Sequence, residues 1–474
     1  MAPQSIHNWF RNYITSIKRI SHPDESRIEN ESQNEQQYDI PEAWVNLDEL
    51  AVTSPVENTE ENAIYRHHDL EQTRSRQQEW KRHNEQLRRS SIPTATSANN
   101  QDEEEEEKGN RVSRLATQIY TLSYLILFSI LGTLARIGLT ALTFYPNTPV
   151  LFTTIWANFG GSLIMGFLAE DRMLFRHEWG TPTYDEQLAQ ARRATEVDEE
   201  SGSSSSVTVI DLIAAKKAHL STKKTIPLYI GLTTGFCGSF TSFSTFIRDV
   251  LLALSNNEFE LPTTDRSGGY SFLAMLAVII TTVCLTLSAL HIGAHLAIGT
   301  EKYIPSLPFR FIRKFLDRVV VILAWGGWAG AIILSIMPPD LNWRGKVIFA
   351  LVFAPVGCLA RFYLALYLNG RLSSFPLGTF LANILGTAVL GMSWDIAHSA
   401  SVGSIVGCQV LQGIEDGFCG CITTISTWVA ELNSLRRFHS YIYGTASVLV
   451  SLVILVAIMG GLRWTDGFTS PICR

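Results

Sequence analysis

Charged residues are scarce in this 474-residue chain, and the patterns that mark catalytic sites are missing from it. Only 17% of its residues are charged, whereas a typical soluble domain has about 25%. We find no Ser-His-Asp arrangement, no phosphate-binding glycine loop followed by lysine and no cofactor fingerprint. The sequence therefore predicts a protein that is not an enzyme. No nucleic-acid partner is expected either, because the basic stretches fit loops between apolar segments.

The cysteines form neither a disulfide framework nor the spacing of a metal site. They are Cys237, Cys284, Cys358, Cys408, Cys419, Cys421 and Cys473. All but Cys473 lie in or beside apolar segments. We interpret them as small residues of packed membrane helices, including the close pair Cys419 and Cys421.

The amino-terminal part, residues 1–115, differs from the rest of the chain. It is polar, lacks hydrophobic periodicity and carries an acidic run from Asp102 to Glu107. This composition predicts a disordered cytoplasmic tail. The patch Trp44-Val45-Asn46-Leu47 is a candidate docking motif within it. Residues 1–20 lack a continuous apolar core, so we expect no cleavable signal peptide.

After the tail, the chain has apolar segments long enough to cross a bilayer as helices, which takes about 20 residues each. We predict nine spans, at 119–143, 150–169, 227–254, 271–298, 318–337, 346–368, 376–395, 403–431 and 440–462. The first four correspond in order to the last four, and the fifth has no counterpart. The predicted fold is an all-α membrane protein with two four-helix repeats, 116–298 and 346–474. A linker, 299–345, joins them through the single unmatched transmembrane helix.

One linking span places the two repeats in opposite orientations, so that they form an inverted pair. Basic residues cluster in 170–226 and 299–318, and Arg344 and Lys346 are a mild exception on the opposite side. Because cytoplasmic loops are enriched in Lys and Arg, we predict a cytoplasmic amino terminus and an external carboxyl terminus. The segment 170–226 is then a solvated cytoplasmic insertion in the first repeat.

Polar residues recur at the same places in both repeats. Arg136 is echoed by Arg361, and Asn158 by Asn383, with 22 residues between the Arg and the Asn each time. Each arginine either bonds backbone carbonyls at a helix break or attracts anions. An asparagine in a membrane helix is commonly a link between helices. Its repetition at one position favours pore lining, because an amide N–H can donate to an anion.

The third span of each repeat carries a stretch of glycines followed by hydroxyl residues. The two stretches run from Gly235 to Phe246 and from Gly417 to Trp428. Such a composition predicts a broken helix whose free backbone groups meet neighbours, water or an ion. Exposed carbonyls suit Na⁺, whereas hydroxyls and aromatic ring edges suit an anion. A Ser/Thr-rich packing face is the alternative interpretation.

Taken together, these motifs resemble the Fluc/FEX fluoride channel family of CrcB-like proteins. The resemblance covers 119–298 and 346–462, and it includes Phe375-Pro-Leu-Gly-Thr-Phe-Leu-Ala-Asn383-x-x-Gly386. The fused form with one linking span resembles the eukaryotic exporters, in which one chain replaces a bacterial antiparallel homodimer. The resemblance implies a single-chain monomer in the lipid of the plasma membrane, with two pores that pass fluoride ions.

The resemblance also implies the residues of the site. A structural Na⁺ is held at the centre by backbone carbonyls, which by motif position belong to Gly238, Thr241, Gly420 and Thr423. Two amides, several hydroxyls and aromatic rings line the pores: Asn158, Asn383, Ser244, Thr245, Ser426, Thr427, Phe243, Phe246 and Trp428. Each pore takes its first aromatic position from one repeat and its second from the other.

The second repeat departs from the family pattern at one of these positions. Under the implied pairing, Phe243 meets Trp428 in one pore and Phe246 meets Ile425 in the other. Because Ile has no ring edge, we predict that the first pore conducts and that the second is degraded. Glu415-Asp416 is a further departure, since two acids beside an anion path are unfavourable unless they face away or border the degraded pore.

Two alternatives to a passive channel stay open. A proton-coupled fluoride transporter would need a titratable residue in the path, for which His291 and His295 are the candidates. A non-transporting membrane scaffold would use the amino-terminal tail to recruit partners.

Overall fold

The computed structural model describes residues 41, 44, 100–143, 154–175, 223–256, 267–308, 311–338, 340, 343–372, 374–399, 404–465, 467–468 and 471–473. Most of the predicted tail and most of the 170–226 insertion therefore lie outside the described residues. All regular structure in the described residues is helical.

The first repeat contributes five helices, and the linker contributes one. They are α1 (Asn100–Thr143), α2 (Ile155–Glu170), α3 (Pro227–Ile230, continued by the π-helical Gly231–Cys237 and by Gly238–Phe240), α4 (Phe243–Leu254), α5 (Gly268–Thr300) and α6 (Asp317–Ile336, preceded by the π-helical Ile312–Leu316). The predicted first span began at 119, but α1 begins at Asn100. Residues 100–115 are therefore helical, in contrast to the disorder predicted for this stretch.

The second repeat contributes the other five helices. They are α7 (Phe349–Leu368, preceded by the π-helical Arg344–Ile348 and followed by the 3₁₀ turn Asn369–Arg371), α8 (Leu377–Ala397), α9 (Ile405–Gly413, continued by the π-helical Ile414–Cys419 and by Gly420–Ile422), α10 (Ser426–Ser434) and α11 (Arg437–Thr465).

Membrane-spanning character is clear for six of these helical segments within the described part of the chain. They are Arg114–Thr143, Gly268–Thr300, Ile312–Ile336, Arg344–Arg371, Leu377–Ala397 and Arg437–Thr465. The chain is thus an all-α, multi-pass membrane protein, as predicted. The other three predicted spans correspond to the 16-residue α2 and to the broken pairs α3–α4 and α9–α10. The count of nine stays a prediction.

The two repeats exchange their short helices. α4, from the first repeat, packs against α8 and α11 of the second, and α10 packs against α2 and α5 of the first. The linking helix α6 lies along α1 and α7. The break before each short helix redirects the chain into the other repeat, so the residues around both breaks are buried together.

Glycines bring the helices of the first repeat into close contact. A Cβ atom on Gly166 of α2 would lie 1.9 Å from the Leu290 carbonyl oxygen, and one on Gly293 of α5 would lie 1.9 Å from that of Leu163. Small residues at such positions let membrane helices approach backbone to backbone. The resulting contact fixes α2, which carries Asn158.

The insertion leaves and rejoins the first repeat at one place. The Lys223 ammonium group donates to the carbonyl oxygens of Leu168 and Asp171, and the ring of Phe175 meets that of Tyr229 edge-on at 5.7 Å. Burial raises the pKa of the Asp171 carboxyl, and the neighbouring Lys223 opposes that rise. These contacts hold the residues on the two sides of the insertion together, so α2 and α3 stay adjacent.

The tail touches the membrane part at its described aromatic residue. Trp44 is buried, and its ring meets that of Phe362 of α7 edge-on at 5.4 Å. The candidate docking motif therefore does contact the helical core at this position.

One cysteine prediction is wrong. Cys408 of α9 forms a disulfide with Cys473, with the two Cα atoms 5.7 Å apart. The residues are 65 positions apart, and Cys408 lies in an apolar segment, so neither spacing nor composition indicated the pair. The other five cysteines are free.

Candidate functional site

The two predicted helix breaks are confirmed. The chain turns from helical to extended at Thr241 (φ −91°, ψ 151°) and at Thr423 (φ −90°, ψ 153°). Ser242 is also extended, and α4 then begins at Phe243. Since the backbone groups at these turns are buried, each must find a partner other than its own helix.

The two asparagines supply partners for the breaks. Asn158 Oδ1 accepts from the Ser242 N–H at 2.8 Å, and Asn383 Oδ1 accepts from the Thr424 N–H at 2.9 Å. The amide nitrogens make longer contacts, as from Asn383 Nδ2 to the Thr424 carbonyl at 3.3 Å. The side-chain oxygen of each asparagine thus satisfies a backbone N–H at a break, whereas the side-chain N–H groups make longer hydrogen bonds.

Because of these bonds, two glycine carbonyls lose the N–H groups that would otherwise donate to them. In an unbroken α-helix, the Ser242 N–H would bind the Gly238 carbonyl, and the Thr424 N–H would bind that of Gly420. Both N–H groups bind asparagine oxygens instead. The two carbonyls therefore lack their usual helical donors.

The two threonine carbonyls are affected in the same way. The Thr245 N–H, which would bind the Thr241 carbonyl, donates to Ser242 Oγ at 3.3 Å. The Thr427 N–H, which would bind the Thr423 carbonyl, donates to Thr424 Oγ1 at 3.4 Å. All four carbonyls that the resemblance assigned to Na⁺ have thus lost their helical donors to side-chain oxygens.

The two arginines bind backbone carbonyls across the repeats. Arg361 donates to the carbonyls of Cys421 at 2.8 Å and Thr234 at 2.7 Å, and Arg136 donates to that of Asp416. Both arginines are 3% exposed. Both arginines therefore bond backbone carbonyls, which is the structural role considered for them from the sequence. Arg136 Nη1 has no hydrogen-bond partner among the described residues, which leaves the anion-attracting interpretation open for that atom.

Hydroxyl groups from the two breaks meet at the centre. Thr241 Oγ1 lies 3.3 Å from Thr424 Oγ1 and 3.2 Å from Ser426 Oγ, and Ser244 Oγ lies 3.1 Å from Thr423 Oγ1. All five side chains are buried. The structure thus places Ser244 and Ser426 in two buried sets of hydroxyl contacts between the repeats, which together are called the hydroxyl cluster here.

The other two predicted hydroxyl residues act within their own helices. Thr245 Oγ1 lies 2.9 Å from Ser242 Oγ, and Thr427 Oγ1 lies 3.5 Å from Thr424 Oγ1. These contacts lie at the start of α4 and of α10, where the first backbone N–H groups need acceptors.

The aromatic residues lie beside the hydroxyl cluster. The rings of Phe243 and Trp428 meet edge-on with centroids 5.3 Å apart, and Phe243 also meets Phe246 at 5.7 Å. All three rings are at most 2% exposed, and Ile425 is also buried. The predicted pairing of Phe243 with Trp428 is therefore a direct contact in the structure.

Comparison with known proteins decides the family. The family profile described as "CrcB-like protein, Camphor Resistance (CrcB)" matches residues 123–294 and 348–462. The chain belongs to the CrcB-like family. Its two matched segments lie inside the repeats that carry the two breaks.

Two relatives align with most of the length of this CrcB-like chain. It is 52% identical to Fluoride export protein 1 of Neurospora crassa over 461 residues, which cover 92% of the chain and 85% of the relative. It is 34% identical to Fluoride export protein 1 of Candida albicans over 346 residues, or 72% and 79% of the two chains.

A bacterial relative is similar to a shorter part. The Fluoride-specific ion channel FluC of Pseudomonas aeruginosa is 37% identical over 129 residues, which are 98% of that protein but 26% of this chain. No solved structure matches the chain significantly.

The CrcB-like chain has a buried carboxylate that sequence reasoning missed. Glu431, three residues after Trp428 on α10, is 5% exposed. It accepts hydrogen bonds from Thr379 Oγ1 and from the Tyr443 hydroxyl, both at 2.7 Å. An acidic residue close to the end of a predicted span was the available signal.

A stripe of hydroxyl residues on α11 was missed as well. Tyr443, Ser447 and Ser451 are fully buried and spaced four residues apart, which places them on one helix face. Ser451 Oγ has no partner among the described residues. The spacing was visible in the sequence, but only the packing of α11 against α4 and α10 shows that this face is interior.

The two acids that departed from the family pattern occupy different surroundings. Glu415 is buried, and its carboxylate lies 3.9 Å from Arg248 Nη1. The backbone carbonyl of Asp416 accepts from Arg136. The Glu415 charge thus faces a guanidinium group.

The two histidines of the transporter alternative lie near the end of α5. His291 is half-buried and His295 is exposed. Neither is part of the aromatic pair or the hydroxyl cluster at the breaks.

Proposed function

We propose that this CrcB-like chain is a fluoride channel that exports fluoride passively from the cytoplasm. The buried contact between Phe243 and Trp428, beside a hydroxyl cluster, carries the proposal, since it gathers ring edges and O–H donors where no water reaches them. Relatives that are named fluoride export protein and fluoride-specific ion channel support the same ion.

Passive export is sufficient for this task. Hydrogen fluoride crosses membranes as a neutral molecule in acid surroundings and ionises inside, where the anion is trapped. A negative interior drives an anion outward by about 2.3 kcal/mol per 100 mV. The anion must exchange its hydration shell for donors from the chain and must still be held weakly enough to leave. Hydroxyl, amide and ring-edge donors meet both requirements, because each is weaker than a full charge.

The proposal includes one working path and one degraded path. The working path runs past Phe243 of α4 and Trp428 of α10, whose rings meet, where α4 packs against α8 and α11. The hydroxyl stripe on α11 supports this choice, because it extends a polar lining from the aromatic pair. The Glu431 carboxylate beside it is engaged by the hydroxyl groups of Thr379 and of Tyr443 in that stripe. On the other side, the path would pass Phe246 and Ile425, and the latter has no ring edge.

A central Na⁺ is part of the proposal. The carbonyl oxygens of Gly238, Thr241, Gly420 and Thr423 would hold it, because hard cations prefer oxygen ligands and these four have lost their helical donors. The bound ion would supply a fixed positive charge that keeps the two breaks together.

We propose that the protein spans the plasma membrane and that its carboxyl terminus lies outside the cell. The disulfide between Cys408 and Cys473 supports it, since such bonds persist in oxidising compartments. A single chain supplies both repeats, so the proposed working unit is a monomer.

Efflux from liposomes tests the proposal. Purified protein is reconstituted in vesicles loaded with potassium fluoride, valinomycin is added, and external fluoride is followed with an ion-selective electrode. We expect rapid fluoride release with little chloride release and no need for a pH gradient. Release only with a pH gradient would favour the proton-coupled transporter, and no release at all would favour the scaffold.

A further inference from the structure

We propose that the indole N–H of Trp428 donates a hydrogen bond directly to the fluoride ion. This inference rests on the proposed function and deepens it. It assigns to this chain a donor that a phenylalanine at the same place, as at Phe246 in the first repeat, does not possess.

The first observation is a buried donor without an acceptor. Trp428 is 2% exposed, and its Nε1 has no hydrogen-bond partner among the described residues. Buried polar groups in folded proteins nearly always have a partner, and an exception calls for an explanation. An anion that passes through the site supplies the missing acceptor.

The second observation is the position of the ring. Trp428 lies in the first turn of α10, directly after the break, so the short helix fixes its backbone beside the hydroxyl cluster. One side of the indole meets the ring of Phe243, with centroids 5.3 Å apart. The donor is therefore in the same buried space as the aromatic edge expected to contact the anion.

The third observation concerns the edge that carries the N–H. The indole Cζ2 atom, which shares that edge, would lie 3.8 Å from a Cβ atom at Gly444 of α11. Gly444 directly follows Tyr443 of the hydroxyl stripe. The edge of the indole that carries the N–H thus lies next to α11 at Gly444.

The chemistry favours a small anion. A hydrogen bond to an ion is about twice as strong as one between neutral groups, and an N–H donor is stronger than an aromatic C–H edge. Fluoride has the more concentrated charge, so the donor stabilises it more than it stabilises chloride. The second repeat has therefore replaced a ring edge with a stronger donor on the working side.

The chain provides a matched control in Trp394. Its indole Nε1 is also buried without a partner in the described part of the chain. Its ring, however, stacks on His398 at 3.8 Å and lies under the Arg248 guanidinium at 4.9 Å. On α8 it follows Asn383, which holds the second break, by about 16 Å of helix. Replacing it removes an indole N–H of the same kind from a different place.

The test compares four proteins in the liposome assay: wild type, Trp428→Phe, Trp394→Phe and a protein with benzothienylalanine at position 428. In that analogue, sulfur replaces the N–H and the bicyclic shape is retained. We expect both changes at 428 to slow fluoride efflux by about ten- to a hundredfold, as for the loss of a hydrogen bond to a charged group. Chloride efflux should change less. Trp394→Phe should remain within about twofold of wild type.

The analogue keeps the test decisive if Trp428→Phe fails to fold, because it preserves packing. Efflux of the analogue at the wild-type rate overturns the inference and leaves the proposed function intact. Equal slowing of fluoride and chloride also overturns it, since that indicates a general packing defect. No efflux from wild-type vesicles overturns the proposed function and this inference together.

Discussion

The guanidinium group of Arg361 occupies the space that a side chain at Gly238 would need. A Cβ atom at Gly238 would lie 2.1 Å from Arg361 Nη1, and one at Gly420 would lie 2.1 Å from Arg136 Nη1. Each glycine of a break is thus matched to an arginine of the other repeat. Each arginine therefore packs against the break of the other repeat, so each half of the site needs a residue from the opposite repeat.

Gly238→Ala and Gly420→Ala should therefore both disrupt the centre. Because the added methyl group overlaps a buried guanidinium, we expect a stability loss of about 1–3 kcal/mol and the loss of fluoride efflux. Thermal unfolding of the purified protein and liposome efflux measure the two effects. Gly327→Ala in α6, where nothing lies within 4 Å, is the control. Wild-type behaviour of Gly238→Ala would contradict the proposed packing.

Phe243→Ile and Phe246→Ile should differ in their effect on efflux. Phe243 is the partner of Trp428, so its replacement removes a ring edge from the working path and should reduce efflux at least tenfold. The ring of Phe246 also meets that of Phe243, but the proposal assigns Phe246 to the degraded path, so its replacement should leave most of the activity. Liposome efflux with a fluoride electrode measures both variants. Equal losses would refute a single working path.

Glu431→Gln should impair conduction more than Asp249→Asn. Glu431 accepts from Thr379 and Tyr443, and its loss leaves two buried hydroxyls without a carboxylate acceptor. We expect about tenfold slower efflux, since the polar lining next to Trp428 is disturbed. Asp249, six residues after Phe243 on α4 as Glu431 is after Ile425 on α10, pairs with Arg248 at 3.3 Å. Similar losses in both variants would argue against a role for Glu431 in the working path.

The disulfide makes the orientation measurable. On intact cells, a membrane-impermeant maleimide should label Cys473, which is partly exposed, only after treatment with an impermeant reductant. Because Cys408 is fully buried, Cys408→Ser is the matched variant, and it should make the Cys473 thiol available to the reagent without reduction. Mass spectrometry of labelled peptides identifies the sites. Labelling that requires permeabilised cells would place the carboxyl terminus in the cytoplasm instead.

Sodium should stabilise the purified protein. If the four break carbonyls hold Na⁺, replacing NaCl with N-methylglucamine chloride should lower the unfolding temperature, and millimolar Na⁺ should restore it. Mass action predicts about 2.7 kcal/mol of stabilisation when Na⁺ is at a hundred times its dissociation constant. Rescue by equal ionic strength of a bulky cation would show a salt effect rather than a site.

Several parts of the site could be predicted because their signals are local in sequence. Glycines followed by hydroxyl residues indicated the helix breaks at Thr241 and Thr423, since weak helix formers and competing side-chain oxygens act within one turn. The pairing of Phe243 with Trp428 followed from family resemblance rather than from local signals. Glu431 was missed because its partners on α8 and α11 cannot be read from neighbouring residues.

An all-α membrane protein with a repeated pattern could be predicted from the sequence, because hydrophobic length and composition are properties of continuous segments. Which side chains meet depends instead on the three-dimensional packing of the helices. Arg136 reaches a carbonyl 280 positions away, and Cys408 pairs with a cysteine 65 positions away. Such contacts depend on how helices that are distant in the sequence pack together, and no local preference of the chain encodes that packing.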